Sequence, residues 1–165
     1  MRDSLSKRSK WQYPVGTAKE ETIKTNLSTY LMNNDIYKVI ERPQNLAKIY
    51  NNKWGIIPDF AIINTKTKKI AFFEVKRQGI NGNAHERACK YFAPGLQDIF
   101  REIAGFDRPI FTIYMNGLTS DPKKVIEIQT WYNDPLWQDR YLLWKTKNIQ
   151  NILDYWENIV KGYLE

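Results

Sequence analysis

Asp59, Glu74 and Lys76 are the residues whose types and spacing could do chemistry. They sit in two runs rich in Ile, Phe and Val, Gly55 to Ile63 and Ile70 to Arg77, which flank the polar stretch Asn64 to Lys69 and read as a β-hairpin. With the turn centred between Lys66 and Thr67, Asp59 falls opposite Glu74, and paired Cβ atoms lie about 4.5–5.5 Å apart. Two carboxylates at that distance repel each other, and one pKa rises unless a cation sits between them. A hard divalent ion removes the conflict. Mg²⁺ takes oxygen ligands, keeps several waters, and uses one or two carboxylates together with substrate phosphate oxygens. The main-chain carbonyl of Val75, or an acid such as Glu41, could add a third ligand. Side chains alternate along a strand, so Lys76 shares the face of Glu74 while Phe73 and Val75 point into a core on the other side. The set suits phosphodiester hydrolysis: the ion activates water and neutralises charge developing on phosphate, and Lys76 orients the nucleophile or stabilises the transition state. A plain hairpin with solvated outer-face side chains has the same spacing.

The elements that must position these residues follow from periodicity. Thr17 and Glu20 have capping-box spacing, and Ile23, Leu27, Tyr30 and Leu31 recur at helical spacing, which predicts a helix near 18–33. A β-like run spans Ile36 to Ile40, and after Pro43 the stretch Gln44 to Tyr50 has room for two helical turns. Beyond the hairpin, Ala84 to Tyr91 and Gly95 to Ala104 read as helices and Ile110 to Met115 as a strand. Asp121 then caps a helix with Pro122 at its first position. Ile149, Ile152, Leu153, Trp156, Ile159, Val160 and Tyr163 form the apolar stripe of a closing helix, read as core. Strands lying between helices predict an α/β or α+β mixed sheet flanked by helices. Residues 1–16 read as a basic arm and 17–165 as one domain.

Composition narrows the class. Lys and Arg number 25 against 18 Asp and Glu, a net charge of +7 that favours a polyanionic partner. The 14% aromatic content sets the chain apart from disordered sequences. One cysteine, Cys89, cannot make an intramolecular disulfide, and with one histidine, His85, it cannot build a tetrahedral zinc site, so both are assigned to packing or solvent. No apolar run approaches the roughly 18 residues of a membrane span, and Met1 to Lys10 has no signal-peptide core. A cytoplasmic, prokaryotic setting is expected.

The wording of the chemical segment adds to its spacing. Pro58-Asp59 and Glu74-Val75-Lys76 match the two halves of the PD-(D/E)-x-K nuclease signature. Gly82-Asn83-Ala84-His85-Glu86-Arg87 comes next, and it resembles the recognition segment of the EcoRI/MunI-like type II restriction endonucleases, in that family's order. The similarity is fullest to the MunI branch. It runs from about Trp54 through Lys76-Arg77-Gln78, Gly82 to Arg87, Asp121-Pro122-Lys123 and Trp131-Tyr132 to about Trp144.

The resemblance implies a restriction-endonuclease-like core, Asp59, Glu74 and Lys76 as catalytic residues with Mg²⁺ as cofactor, and a homodimer on double-stranded DNA. A companion methyltransferase is expected with it. Asn83, Ala84 and Arg87 fall on residues that read the inner AATT base pairs. An Asn amide suits adenine N6 and N7, and Gly82 allows close main-chain approach. Glu86 is expected to buttress Arg87. In the MunI branch a longer insertion ends in an arginine that reads the outermost pair. Here only Gly79, Ile80 and Asn81 separate Gln78 from Gly82, and Asn81 takes the arginine's place. The site expected is therefore AATT with little outer-base selection, cut to 5′-phosphates and a 5′ overhang. Lys123, Lys124 and the basic arm are candidates for phosphate contacts. As a purely local motif, Asn83 would be a helix cap. Two other functions remain open on the same residues: a repair or junction-resolving nuclease, and an inert sequence-specific DNA-binding module.

Overall fold

The computed structural model describes residues 15–41, 43, 56–79, 82–145 and 148–165, with side chains from residue 22 onward. The helical turns expected at Gln44 to Tyr50, the basic arm up to Pro14, and Asn81 lie outside the described residues.

Helix α1 (Val15–Leu31) starts earlier than its sequence signals predict, which leaves Thr17 inside the helix instead of at its cap. Ile23, Leu27 and Leu31 form its buried stripe, whereas Tyr30 is exposed and donates its hydroxyl to Glu157 at 3.0 Å. Strands β1 (Tyr37–Glu41), β2 (Phe60–Asn64) and β3 (Ile70–Gln78) form an antiparallel meander. A nine-residue 3₁₀ helix (Ala84–Phe92) and helix α2 (Pro94–Ala104) then cross to β4 (Ile110–Asn116), which pairs parallel with β3. Two short helices, α3 (Gly117–Ser120) and α4 (Pro122–Trp131), lead to β5 (Tyr141–Trp144), parallel to β4. The result is a mixed five-stranded sheet in sequence order. Asp121 caps α4 as its spacing predicts, accepting from the Lys123 amide at 3.0 Å.

One face of the sheet packs on α1 and the C-terminal helix, and the other on the 3₁₀ helix, α2 and α4. Burial on both faces explains the unbroken apolar run Ile70 to Phe73 in central strand β3. The C-terminal helix is continuous but not uniform: α5 (Ile149–Tyr155) widens into a π segment (Trp156–Val160) before α6 (Lys161–Leu164). Its stripe is core, as expected: Ile152, Trp156 and Val160 are buried, and Ile149, Leu153, Ile159 and Tyr163 are partly buried and pack against them.

The hairpin register is set by its turn. Asn64 is buried, and its Oδ1 accepts from the Lys66 and Thr67 amides at 2.9 and 3.1 Å while its Nδ2 donates to the Leu164 carbonyl at 3.0 Å. Thr67 Oγ1 donates to the same carbonyl at 2.7 Å, so the turn also closes the C-terminal helix. β2 pairs with β3 as Phe60 with Phe73 and Ile63 with Ile70, the register the sequence predicts. Replacing Asn64 by Ala removes three hydrogen bonds at a buried site, and the expected loss of about 2–3 kcal/mol of unfolding free energy is readable as a lower urea midpoint at constant slope. An unchanged midpoint would remove the turn as the register's anchor.

Candidate active site

Continuing the β2–β3 register by one residue sets Asp59 opposite Glu74. Two bonds hold Asp59 there: its amide donates to the Phe73 carbonyl at 2.9 Å, and its Oδ2 accepts from the Val75 amide at 2.6 Å. They fall on the residues either side of Glu74, so the position of one acid is fixed by the backbone that carries the other. Below them Phe60 and Phe73 stack with centroids 4.6 Å apart, in the core on the far face.

Glu74 is not a solvated outer-face residue. It is 4% exposed, level with Thr112 on β4, and its Oε1 contacts the Lys76 ammonium. Its Oε2 accepts from the Tyr91 hydroxyl at 2.9 Å. Tyr91 is buried against Phe100, and burial, reinforced by the Glu74 charge, pushes its pKa far above the ordinary tyrosine value. The phenol therefore keeps its proton and acts as donor. Burying an ionised carboxylate is costly unless its oxygens are paired, and here an ammonium and a hydroxyl pair them.

The donor set fits a hard divalent ion in a specific way. Among the described residues no group of three His, Cys, Asp or Glu side chains comes together. Asp59 and Glu74 are then the acids available, and other ligands would be main-chain carbonyl, water or phosphate, the composition Mg²⁺ usually takes. Glu41 does not serve as a third acid. It stands opposite Phe60, on the face that packs against α1, and pairs with Lys24 at 2.8 Å.

The segment after β3 carries the other candidates. Asn83 precedes the 3₁₀ helix, yet its side chain makes no capping bond and is exposed, so the capping role is not the one it fills. Glu86 and Arg87 are also exposed, and no ion pair joins them. Gly82 and Ala84 are half-buried. A Cβ at Gly82 would enter the space filled by the Gln78 side chain, whose Oε1 accepts from the Ala84 amide.

His85 is packed, as expected, but with polar company: it is buried, stacked 5.2 Å from Trp131, and its Nε2 meets Glu127 Oε2 at 2.7 Å. That contact ties the start of the 3₁₀ helix to α4. Cys89 is half-buried, its thiol pushed up by burial and by Glu86. Of the two lysines expected to meet phosphate, Lys123 is exposed but Lys124 is buried and unavailable. Tyr91 is the site residue that sequence reasoning missed. The signal available was its place at the end of the helix read over Ala84 to Tyr91, which begins within the Gly82 to Arg87 run; nothing local pointed to Glu74.

A mixed sheet with two carboxylates and a lysine on its central hairpin, followed at once by an exposed polar segment, defines a nuclease-type site. Residues 50–165 match the family described as type II restriction enzyme MunI. The type II restriction enzyme MunI of a Mycoplasma species is 35% identical, over 89% of this chain and 78% of that protein. A crystal structure of MunI restriction endonuclease in complex with cognate DNA is similar in fold, with a TM-score of 0.73 and 30% identity over 86% of this chain and 89% of that one. The chain belongs to the MunI family of type II restriction enzymes and is a site-specific deoxyribonuclease. Among the described residues no helix is long and apolar enough to cross a membrane.

If His85 holds the 3₁₀ helix onto α4, His85→Ala should lower stability by about 2–3 kcal/mol and Cys89→Ala by less than about 1 kcal/mol. Thermal or urea unfolding of the two variants side by side checks this; equal losses would remove His85 as an anchor.

Proposed function

We propose that the protein cuts both strands of DNA at a palindromic site with an AATT core, in a Mg²⁺-dependent reaction that leaves 5′-phosphates and a four-base 5′ overhang. The observation that carries the reading is the shared face of Asp59, Glu74 and Lys76, which lies directly before an exposed Asn83 whose amide is not spent on capping. Asp59 and Glu74 would hold the divalent ion, with the Val75 carbonyl a further ligand. When bound, the ion supplies charge neutralisation at the phosphate and a lowered pKa for the attacking water.

The chain's own residues do the rest. The Val75 amide fixes the Asp59 carboxylate, and Lys76 presents its ammonium beside Glu74, where it can orient the nucleophile and offset charge on the phosphate oxygens. Asn83 would read adenine by paired bonds to N6 and N7, with Gly82 and Ala84 admitting close approach and Arg87 spanning adjacent bases with Glu86 beside it. Glu86 and Arg87 are both exposed, within reach of a bound duplex. Asn81, in place of an arginine, would leave the outer pair little selected. A palindrome cut on both strands calls for two copies of the site about a two-fold axis, hence a homodimer, and a host would need a methyltransferase to protect its own AATT sites.

Digestion of unmethylated plasmid, with sequencing of both strands at each new end, tests the reading. Discrete ends at AATT are expected in Mg²⁺, none in excess chelator, and recovery when Mg²⁺ is restored. Scattered or junction-dependent ends would favour a shape-reading nuclease on the same core. No cutting in Mg²⁺ alongside tight AATT binding would overturn the assignment of the metal, and strict flanking bases would overturn the reading of Asn81.

A further inference from the structure

The 3₁₀ helix is pinned to β3 at both of its ends. At its start the Ala84 amide donates to Oε1 of Gln78, the last residue of β3, and near its end the Tyr91 hydroxyl donates to Oε2 of Glu74 in the middle of that strand. Between those ties lie His85, Glu86 and Arg87, and Asn83 sits just outside the first. His85 adds a lateral tie to α4 through Glu127. One element therefore carries the exposed polar residues at one end and, at the other, the hydroxyl that orients a buried acid.

We propose that Tyr91 is a positioning residue that couples DNA reading to metal binding, by holding the Glu74 carboxylate in register with the segment that contacts bases. The proposal rests on the reading of Asp59 and Glu74 as metal ligands and of Asn83 to Arg87 as the DNA-reading run. A carboxylate has two oxygens and rotates about its last bond unless both are held; here Lys76 meets Oε1 and Tyr91 meets Oε2. The Lys76 contact comes from the same strand and moves with Glu74. The Tyr91 contact comes from the 3₁₀ helix, so it is the one that a movement of that helix would change. The tyrosine ring is itself fixed, edge-on to Phe100, which in turn meets Phe72 of β3 edge-on. A shift of the helix thus reaches the acid through one hydrogen bond set in a packed aromatic layer. Outer-shell partners of this kind commonly change metal affinity or activity about 10–100-fold when removed.

Coupling is a reciprocal quantity: if cognate DNA tightens the metal site, metal tightens cognate DNA by the same factor. The test measures affinity for a labelled AATT duplex and for a scrambled duplex, with and without Ca²⁺, a divalent ion of the same oxygen preference. Wild type, Tyr91→Phe and Tyr132→Phe are compared. Phe keeps the packed ring, and Tyr132→Phe removes a different buried hydroxyl, one that bonds to Tyr114 at 3.1 Å. Wild type and Tyr132→Phe are expected to gain affinity for AATT when Ca²⁺ is added. Tyr91→Phe should lose about tenfold or more of that gain. An equal gain in all three proteins, or a loss as large in Tyr132→Phe, overturns the proposal while leaving the ligand and reading assignments standing. If wild type shows neither AATT preference nor a Ca²⁺ response, those assignments fall and the proposal with them.

Discussion

A carboxylate taken almost wholly out of water must have both oxygens paired, and in this protein that carboxylate is Glu74. The requirement shapes everything around the central strand. Lys76 has to lie two residues on, where strand alternation returns it to the same face, and a hydroxyl has to arrive from the other layer. That hydroxyl can come only if the 3₁₀ helix packs across β3, which explains why the aromatic layer of Phe72, Tyr91 and Phe100 sits where it does. Buried ion pairs contribute little net stability, since desolvation consumes most of the Coulombic gain. Glu74 therefore adds little to stability itself, and the surrounding fold supplies what it does not.

The hairpin was legible because its information is local. Two apolar runs around a polar turn set the register, Asn64 closes the turn, and the period of two then places Asp59, Glu74 and Lys76 on one face with no long-range knowledge. The capping of α4 by Asp121 and the stripe from Ile149 to Tyr163 are equally local signals and hold in the structure. The family likeness of Gly82 to Arg87 needed no structure either, because it is a matter of wording.

What the sequence left hidden depends on partners distant along the chain. Strand β5 is four residues of large apolar side chains with no alternation, and it is a strand because β4 offers it a parallel edge. Helix-like periodicity at Ala84 to Tyr91 could not distinguish an α from a 3₁₀ path, and the tighter path is what brings both Ala84 and Tyr91 against β3. Lys124 looks like a surface lysine until α4 is seen to turn it inward. Glu41 looks like a possible ligand until β1 is seen to aim it at Lys24. In each case the residue type was clear and the tertiary neighbour was not.

On this account the hairpin acids cut and the segment after them reads, two tasks on neighbouring parts of one surface that the 3₁₀ helix couples. Asp59 offers the most direct test, because its carboxylate is held by the Val75 amide, whereas Lys76 and Tyr91 are the groups that pair Glu74. The measurement is Mg²⁺-dependent cleavage of an AATT duplex by Asp59→Ala, alongside its equilibrium affinity for AATT and scrambled duplexes. Cleavage reduced at least about 100-fold, with the preference for AATT retained in metal-free buffer, is the expected result. Cleavage at the wild-type rate would contradict the claim outright.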